Sequence, residues 1–425
     1  MILGPPVILL GIDTPIGLAL VRELGRAGIE VHGVARDRRA LGLYSRWLGQ
    51  GHIRPQDEAG VLPLLRRIAR RTGARFVMTV SMSDALLVRE AADAGRLWGL
   101  TPLLPSMAKL RLVNDKAEIC RIAERLGIAV PYTWEPTLAD LAAEWPGLSF
   151  PCVLKWRDPE QAVDLLSDAG LPLLKTEYVH DAGTLRRVLE RYRPAGILPM
   201  VQSYVPGSGL GQMFVMRRGR ATLRFQHRRL HEWPPEGGVS TLCESVGVDA
   251  HPELMARSEA LLREIGWEGP AMVEYRYDER TGRAVLMEIN GRFWGSLPLA
   301  VQAGAAFGLA TYYALGLDRP LPTQRAYKVG LRCRFMIAET RRLLRILFAR
   351  RSIPDKSLRF SRLRELASYV AGFVDGSRYY VFSWRDPLPF FADMLFVLRR
   401  VGEASLAWLP RRRRAQPAGA RPVKS

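Results

Sequence analysis

The residues around position 280 predict a β-hairpin, and this hairpin constrains the fold more strongly than any other segment of the chain. Residues 271–277 and 285–290 have the composition of strands, and the DERTG stretch between them is typical of a turn. A three-residue loop over 280–282, with Gly282 in the left-handed conformation, would join the two strands. The register of such a hairpin decides which side chains face each other across it.

The predicted register places two acidic side chains directly opposite each other. Glu274 lies across from Glu288, and Asn290 and Arg292 share the face of Glu288 if the strand continues, because side chains alternate along a strand. Like charges in this position destabilise a sheet. A divalent cation would offset the repulsion, since Mg²⁺ prefers carboxylate oxygens and usually shares them with substrate phosphates. Ion pairs from Arg276 and Arg292 to the two acids are the alternative.

The first hundred residues alternate between apolar strands and helices. Residues 6–37 read as strand, glycine turn, helix from about 15 to 27 and strand, and 62–95 repeats the pattern. Alternation of this length predicts a parallel, doubly wound sheet. The first turn lacks a full dinucleotide fingerprint, and Arg36 stands where an acidic ribose partner would be expected. A structural or substrate-side role is therefore favoured here over NAD(P) binding.

Composition places the chain among ordinary globular proteins. Its 425 residues are 48% hydrophobic and 24% charged, which gives room for two to four domains. The four cysteines are far apart and form no CxxC pair, so neither a zinc site nor a disulfide framework is indicated, and a reducing, cytoplasmic location is expected. The start of the chain reads as a strand and not as a signal peptide. The uncharged segment 295–317 is rich in Gly and Ala, and a buried helix is favoured over a membrane span.

Five motifs in a fixed order resemble the ATP-grasp superfamily, of the carbamoyl-phosphate-synthase-like kind often called carboxylate–amine ligase. They are NDKAEICRIAERLGIAVP, FPCVLKW, VQSYVPGSGLGQMFV, PPEGGVST and MVEYRYDERTGRAVLMEINGRFWGS. No single motif is decisive, but the hairpin preceded by a lysine strand and a hinge strand is specific. The resemblance covers roughly 1–320.

The resemblance implies an α/β fold in which a Rossmann-like parallel-sheet domain, the pre-ATP-grasp domain, precedes a two-lobed α+β ATP-grasp domain. A basic, mainly helical C-terminal region and a disordered tail follow. The implied boundaries are 1–105, 106–320 (lobes of about 106–200 and 201–320), 321–410 and 411–425.

The resemblance also implies roles for residues that match its motifs. Nucleotide phosphates would contact Lys116 and Lys155, and the main chain of Gln202, Ser203, Tyr204 and Val205 would read the adenine edge. Magnesium or manganese would be held by Glu274, Glu288 and Asn290, with Arg292 facing the transferred phosphoryl group. The second substrate would lie near Gly237, Gly238 and Ser240.

Several of these residues also have plain structural interpretations. Lys116 could be a solvated lysine at a helix start, whereas Lys155 on a mostly buried strand needs a partner. Gln202 and Ser203 could be hinge residues with outward side chains. His227 is a further candidate for substrate contact, although it could belong to a solvated basic run with the two arginines that follow it.

The sequence departs from the family pattern in the segment that would cover the phosphates. Many members have a glycine-rich flap after the lysine strand, but here Gly170 is the only glycine between that strand and the next. The flap is either shortened or assisted by Lys175. Gly291 also stands where a proline is common, which leaves the functional side chains of the hairpin unchanged.

The implied activity is an ATP-dependent ligation. A small-molecule carboxylate would be activated as an acyl phosphate, and an amine or similar nucleophile would displace phosphate. The alternative is a basic protein that binds nucleic acid or a membrane surface and keeps a non-catalytic nucleotide-binding fold, because the net charge is +20. Basic nucleic-acid binders usually place aromatic residues among their charges, and no nucleic acid is expected as a partner here.

The positive charge is concentrated in the C-terminal region. Residues 321–425 hold 23 Lys and Arg against 7 Asp and Glu, so +16 of the net charge lies there. Segments 339–351 and 388–414 mix apolar clusters with arginine, which is typical of helices that lie on an anionic membrane. Helices packed on the core are favoured for 388–400, with peripheral membrane contact as the alternative.

Overall fold

The computed structural model describes residues 4–142, 145, 147–174, 176–322, 326–350, 353 and 358–408, with main chain only at 142, 160 and 400–408. Lys175 and the tail 411–425, which the sequence predicts to be disordered, lie outside these residues.

Five parallel strands form the first sheet, as the alternating pattern predicts. Their spatial order is β3-β2-β1-β4-β5. The strands are β1 (Val7–Leu10), β2 (Val31–Ala35), β3 (Gln50–Ile53), β4 (Phe76–Thr79) and β5 (Thr101–Pro102). The helices of this part are α1 (Pro15–Arg26), α2 (Val61–Thr72) and α3 (Met82–Asp93).

The glycines of the first turn allow α1 to pack closely against the end of β1. Thr14 caps α1 by accepting a hydrogen bond from the backbone N–H of Gly17. A Cβ atom at Gly17 would lie 2.3 Å from the carbonyl oxygen of Gly11, so only glycine allows the helix to start this close to the strand. This close approach accounts for the glycine turn without a bound dinucleotide.

A four-stranded antiparallel sheet follows, with the order β6-β9-β7-β8. Its strands are β6 (Thr133–Trp134), β7 (Cys152–Lys155), β8 (Glu177–Val179) and β9 (Met200–Ser203). The helices of this stretch are α4 (Met107–Asn114), α5 (Lys116–Arg125), α6 (Pro159–Asp168) and α7 (Ala182–Tyr192). The helix predicted over 116–126 is confirmed as α5, which Asp115 caps through the N–H of Glu118.

Seven strands form the third sheet, in the order β14-β13-β10-β11-β12-β15-β16. They are β10 (Ser208–Arg217), β11 (Arg220–Trp233), β12 (Val239–Val246), β13 (Gly269–Asp278), β14 (Arg283–Asn290), β15 (Arg332–Arg334) and β16 (Arg378–Tyr379). The helices here are α8 (Pro252–Glu264), α9 (Leu297–Ala303), α10 (Phe307–Thr311), α11 (Met336–Phe348), α12 (Arg362–Ala371) and α13 (Leu388–Trp408).

The predicted hairpin is β13 and β14, and its predicted register is correct at the two acids but is displaced by one residue next to the loop. Asp278 pairs with Arg283, so the loop has four residues and not three, with Gly282 at φ +68° as expected. The pairing then shifts between Glu274 and Tyr275, where one extra residue on β14 forms a bulge. The bulge compensates for the longer loop, and Glu274 still pairs with Glu288.

The uncharged segment 295–317 is buried but is not one helix. It forms α9, α10 and a π-helical turn at Tyr312–Gly316, and its apolar side chains pack into a core shared with α1 and the first sheet. Within the part of the chain that the structure describes, no helix has the length and apolarity to cross a membrane.

The C-terminal region contains the three helices α11, α12 and α13 and also two short strands that were not predicted. It supplies β15 and β16 to the third sheet, where Cys243 pairs with Cys333. It also reaches the first sheet's domain, because the guanidinium of Arg22 forms a buried ion pair with Asp386 at 2.9 Å. The region therefore packs on both larger parts of the molecule.

Candidate nucleotide- and metal-binding site

The segment 204–207 joins the second sheet to the third and forms the predicted hinge. The N–H of Ser203 donates to the carbonyl of Tyr132 at 2.9 Å, and the N–H of Tyr204 donates to that of Pro151 at 3.4 Å. Both groups thus hold the hinge onto the second sheet. Val205, one residue further, is half-buried.

Gln202 is buried, contrary to the alternative of an outward hinge side chain. Its Nε2 donates to Thr133 Oγ1 at 3.0 Å. Its Oε1 is also buried and accepts no hydrogen bond from any residue that the structure describes. An unsatisfied buried acceptor is costly, so a donor is expected at this oxygen.

Lys155 ends β7 and points toward the hairpin of the third sheet. Burial lowers the pKa of its ammonium, and the nearby carboxylate of Glu288 opposes this shift while Lys116 adds to it. Among the residues described, Lys155 forms no ion pair. Lys155 thus has the charge of Glu288 near it but no ion pair among the described residues, so the protein balances its charge only in part.

Lys116 lies at the start of α5 and also faces the hairpin. Its Nζ is 3.9 Å from Glu288 Oε2, and the amide of Asn290 donates to Glu288 Oε1 at 3.0 Å. Together with Lys155 these residues form what we call the lysine cluster: Lys116, Lys155, Glu288 and Asn290.

The other hairpin acid belongs to a second group of charges. Arg229 contacts the carboxylate of Glu274 and, at 3.1 Å, that of Glu232. Arg276 lies 3.2 Å from Glu232. We call Arg229, Glu232, Glu274 and Arg276 the arginine cluster.

The two hairpin acids therefore do not form the ion pairs with Arg276 and Arg292 that were the alternative to a metal ion. Arg276 pairs with Glu232 and not with Glu274, while Arg292 donates to the carbonyl of Phe293 at 3.0 Å. Sequence reasoning missed Arg229, which it treated as part of a solvated run. Its partner lies on β13, the strand on the other side of β10.

A sequence signal for Arg229 does exist on β10. Gly209 and Gly211 are two residues apart, and a Cβ at Gly209 would lie 2.6 Å from the side chain of Arg229. Because glycine leaves this space empty, Arg229 on β11 reaches across β10 to Glu274 on β13. Two glycines at period two on a central strand indicate such a close approach.

The environments shift the pKa values of the two acids in opposite directions. Burial raises the pKa of Glu274, and the charge of Glu288 adds to the rise against the opposing effect of Arg229. Burial would also raise the pKa of Glu288, but Lys116 and Lys155 outweigh it and lower that pKa. The carboxylate that faces the lysines is thus held ionised.

The residues suit Mg²⁺ only as a site that a phosphate completes. No group of three or more His, Cys, Asp or Glu side chains in the described chain could hold a metal ion. Glu274 and Glu288 nevertheless pair across the hairpin, and the Asn290 amide lies beside Glu288. One or two carboxylates plus substrate phosphates are a usual magnesium donor set, so the side chains fit a phosphate-bridged ion.

The predicted substrate residues lie on β11, β12 and the loop between them. Gly237 is at φ +133° in that loop, next to Gly238, and the hydroxyl of Tyr178 on β8 donates to the carbonyl of Glu236 at 2.6 Å. The loop thus touches the second sheet. Ser240 follows on β12 and is buried.

His227 is a core residue and not part of a solvated run. It has no exposed surface, and burial lowers its pKa to about 3, with the charge of Arg229 adding to the effect. Its Nδ1 lies 3.4 Å from Ser296 Oγ. The ring therefore lies inside the protein.

A further contact to this loop comes from the C-terminal region. Arg345 on α11 donates to the carboxylate of Glu236 at 3.0 Å. Because α11 is more than a hundred residues away in sequence, no local pattern could predict this contact.

Comparison with known proteins gives remote matches. No family model matches the chain. Acetyl-CoA carboxylase 2 of Oryza sativa subsp. japonica is 24% identical over 286 residues, which are 61% of this chain and 12% of that protein. D-alanine–D-alanine ligase of Acidiphilium cryptum is 26% identical over 99 residues, which are 22% of this chain and 33% of that enzyme. The chain thus spans a third or less of these relatives.

Solved structures resemble it over more of its length. An L-amino acid ligase from Bacillus licheniformis has a TM-score of 0.55 at 16% identity, covering 73% of this chain and 74% of that one. A biotin carboxylase complex from Campylobacter jejuni has a TM-score of 0.58 at 14% identity, and the match covers 77% of this chain and 74% of that one. N5-carboxyaminoimidazole ribonucleotide synthetase from Thermus thermophilus has a TM-score of 0.55 at 16% identity, and the match covers 75% of this chain and 79% of that one.

Proposed function

The chain has the ATP-grasp fold of these solved neighbours, and from this premise we propose that it is an ATP- and magnesium-dependent ligase. A carboxylate would be phosphorylated to an acyl phosphate and then attacked by an amine or similar nucleophile. The observation that carries the proposal is the lysine cluster. Two ammonium groups from separate elements, Lys116 and Lys155, face one carboxylate, Glu288, which leaves positive charge for an anion.

The roles of the charged residues follow from this charge. Lys116 and Lys155 would bind the phosphates of ATP, because a lysine ammonium is a compact charge with three donors. Glu274, Glu288 and Asn290 would hold Mg²⁺ or Mn²⁺. When bound, the metal would neutralise charge on the transferred phosphoryl group. Arg292 would face that group, since a guanidinium fork suits phosphate and carboxylate oxygens.

The hinge and the β11–β12 loop would bind the rest of the substrates. The main chain around Gln202, Ser203, Tyr204 and Val205 would receive adenine, and the unsatisfied Oε1 of Gln202 supports a donor at this place. Gly237, Gly238 and Ser240 would lie beside the second substrate. Burial of His227 favours a structural role for this residue over substrate contact.

The proposed class of substrates, a small carboxylate and an amine, is based on the names of two similar proteins. One solved neighbour is an L-amino acid ligase and a remote relative is a D-alanine–D-alanine ligase. Both names describe enzymes that join amino acids, which supports a small carboxylate and an amine as the substrates of this chain.

Calorimetric titration with Mg-ATP tests the proposal. We expect Glu288→Ala to weaken Mg-ATP binding at least about tenfold, since charged hydrogen bonds and metal contacts contribute about 1.5–3 kcal/mol. Glu279→Ala is the matched control, because Glu279 lies in the loop of the same hairpin and is largely exposed. Equal affinity of the wild type and Glu288→Ala would remove the hairpin from the nucleotide site.

Phosphate release tests the ligase reaction itself. Release from Mg-ATP should require both a carboxylate and an amine from a panel of amino acids, small peptides and sugar acids. Mg-ATP binding without release for any pair in such a panel would speak against this substrate class while leaving the nucleotide site in place.

A further inference from the structure

Large apolar side chains are exposed mainly in the C-terminal region. Three of them, Val374, Trp384 and Leu363, keep 88%, 84% and 81% of their surface in solvent. We call the following set the C-terminal apolar surface: Leu363, Val370, Val374, Trp384, Leu388 and Phe391. Exposed apolar side chains gathered in one region mark an interaction site more often than scattered ones do.

The helix α12 shows that this exposure follows from its orientation. Two of its polar side chains face the neighbouring helix, where Glu365 pairs with Arg342 at 2.7 Å and the Tyr369 hydroxyl lies 2.7 Å from Thr340 Oγ1, while its other polar side chains are exposed. Leu363 and Val370, seven residues apart on one helical face, point to solvent. A helical face whose apolar side chains stay exposed can meet an apolar partner outside the chain.

The helix α13 repeats this arrangement. Leu388, Phe391, Leu395 and Leu398 are exposed with helical spacing, while Phe396 packs inward on Tyr44 with ring centroids 5.9 Å apart. Ahead of the helix, the ring of Trp384 lies 4.8 Å from that of Phe382, which in turn contacts Phe390.

Exposed arginines lie among the apolar residues along the chain, whereas three acids of the region are engaged in ion pairs inside it and a fourth, Asp375, is exposed. Arg359, Arg362, Arg364, Arg385 and Arg399 are exposed. Glu339, Glu365 and Asp386 instead form ion pairs with buried or half-buried partners. Four more arginines, 411–414, follow α13 in the sequence. Over the described residues, the exposed side chains of the region are thus both apolar and basic.

We propose that the C-terminal apolar surface binds the face of an anionic lipid bilayer. Two copies of this chain would bring two regions of net charge +16 together and repel each other, whereas anionic lipids attract each nearby arginine by about 1 kcal/mol. Apolar side chains and tryptophan would enter the boundary between headgroups and acyl chains. Binding would be peripheral, since no described helix can span the membrane.

Vesicle co-sedimentation of the full chain tests this proposal. The protein should bind phosphatidylcholine vesicles that contain phosphatidylglycerol, bind pure phosphatidylcholine much more weakly, and lose affinity as salt rises. The double variant Trp384→Ser, Phe391→Ser should bind anionic vesicles at least about tenfold more weakly, because each aromatic side chain contributes about 1.5–3 kcal/mol on burial.

The matched control is Trp98→Ser, which removes an exposed tryptophan from the parallel-sheet domain and should leave vesicle binding unchanged. Thermal unfolding of all variants checks that they fold. Absent vesicle binding, or equal binding by the double variant, would overturn the proposal. So would a concentration-dependent dimer in sedimentation velocity that the double variant abolishes, because a second copy would then cover the surface.

Discussion

The lysine cluster and the arginine cluster each include residues of the β13–β14 hairpin but balance their charges differently. In the arginine cluster two guanidinium groups meet two carboxylates, and Arg229 and Arg276 each contact an acid within 3.2 Å. In the lysine cluster two ammonium groups face the single carboxylate of Glu288, and the closest pair is 3.9 Å apart. The charges of the first cluster balance within the protein, and Glu274 would reach a metal ion while paired with Arg229, whereas the second cluster has positive charge left for an anion.

This difference separates structural charges from charges kept for a ligand. A buried pair that loses one partner leaves an uncompensated charge, so its members hold each other in place. A desolvated cation without a close partner destabilises the free protein, and such perturbed groups gather at functional sites. The clusters therefore respond in opposite ways when a cation is removed.

Removal of Arg229 should give the largest effect on stability. Arg229→Met leaves Glu274 and Glu232 buried without their shared cation, and we expect a loss of about 3–5 kcal/mol in the free energy of unfolding. Urea denaturation measures this loss. The matched control is Arg224→Met on the same strand, where a more exposed ion pair with Glu259 should contribute less than about 1 kcal/mol. Similar losses for both variants would mean that Arg229 is an ordinary surface charge.

Removal of Lys155 should have the opposite signature. Lys155→Met takes away a desolvated cation that forms no ion pair among the described residues, so the midpoint of thermal unfolding should stay equal or rise. Affinity for Mg-ATP should fall about 100-fold, because charged hydrogen bonds contribute up to about 3 kcal/mol. Calorimetry and thermal unfolding on one preparation measure both quantities.

Lys109→Met serves as the control for this variant, since Lys109 lies on α4 outside the lysine cluster and should leave nucleotide affinity unchanged. If Lys155→Met unfolds at a clearly lower temperature and keeps its affinity for Mg-ATP, Lys155 is a structural residue and the contrast between the clusters fails.

The sequence predicted the lysine cluster better than the arginine cluster. The predicted hairpin register brings Glu288 opposite Glu274, strand alternation keeps Asn290 on the same face as Glu288, and the family resemblance supplied the two lysines. Even a wrong loop length did no harm at the acids, because a bulge restored the register there. Arg229 reaches its partner across an intervening strand through the space at Gly209. Such a contact depends on the order of strands in space, which a local pattern does not contain.

The C-terminal region was hardest to predict for a related reason. β15 and β16 have three and two residues, too few to show a period, and β15 pairs with a strand some ninety residues earlier. Their arginine-rich surroundings suggested a mainly helical region. By contrast, the parallel sheet rests on long repeated strand–helix units, and here prediction and structure agree to within a residue for α1.

Glu23 is a third buried acid, and unlike Glu288 and Glu274 it contacts neither a lysine nor an arginine in the part of the chain that the structure describes. Glu23 on α1 accepts a hydrogen bond from the N–H of Leu309 at 2.7 Å, and its Oε2 is buried without a partner among the described residues. Burial raises its pKa from 4.5 to about 7, against weak opposition from that hydrogen bond and from Arg26.

The pKa of Glu23 predicts a pH dependence of stability. The folded state holds the proton more tightly than the unfolded chain, so the stabilisation is complete below the unfolded pKa of 4.5 and is lost as pH rises toward about 7. From about pH 5 to 6.5 the free energy of unfolding should fall by about 1 to 2 kcal/mol through this group. Urea denaturation at both pH values should show a smaller decline for Glu23→Gln than for the wild type. An unchanged decline would mean that Glu23 is ionised in the folded protein, as Glu288 is beside its lysines.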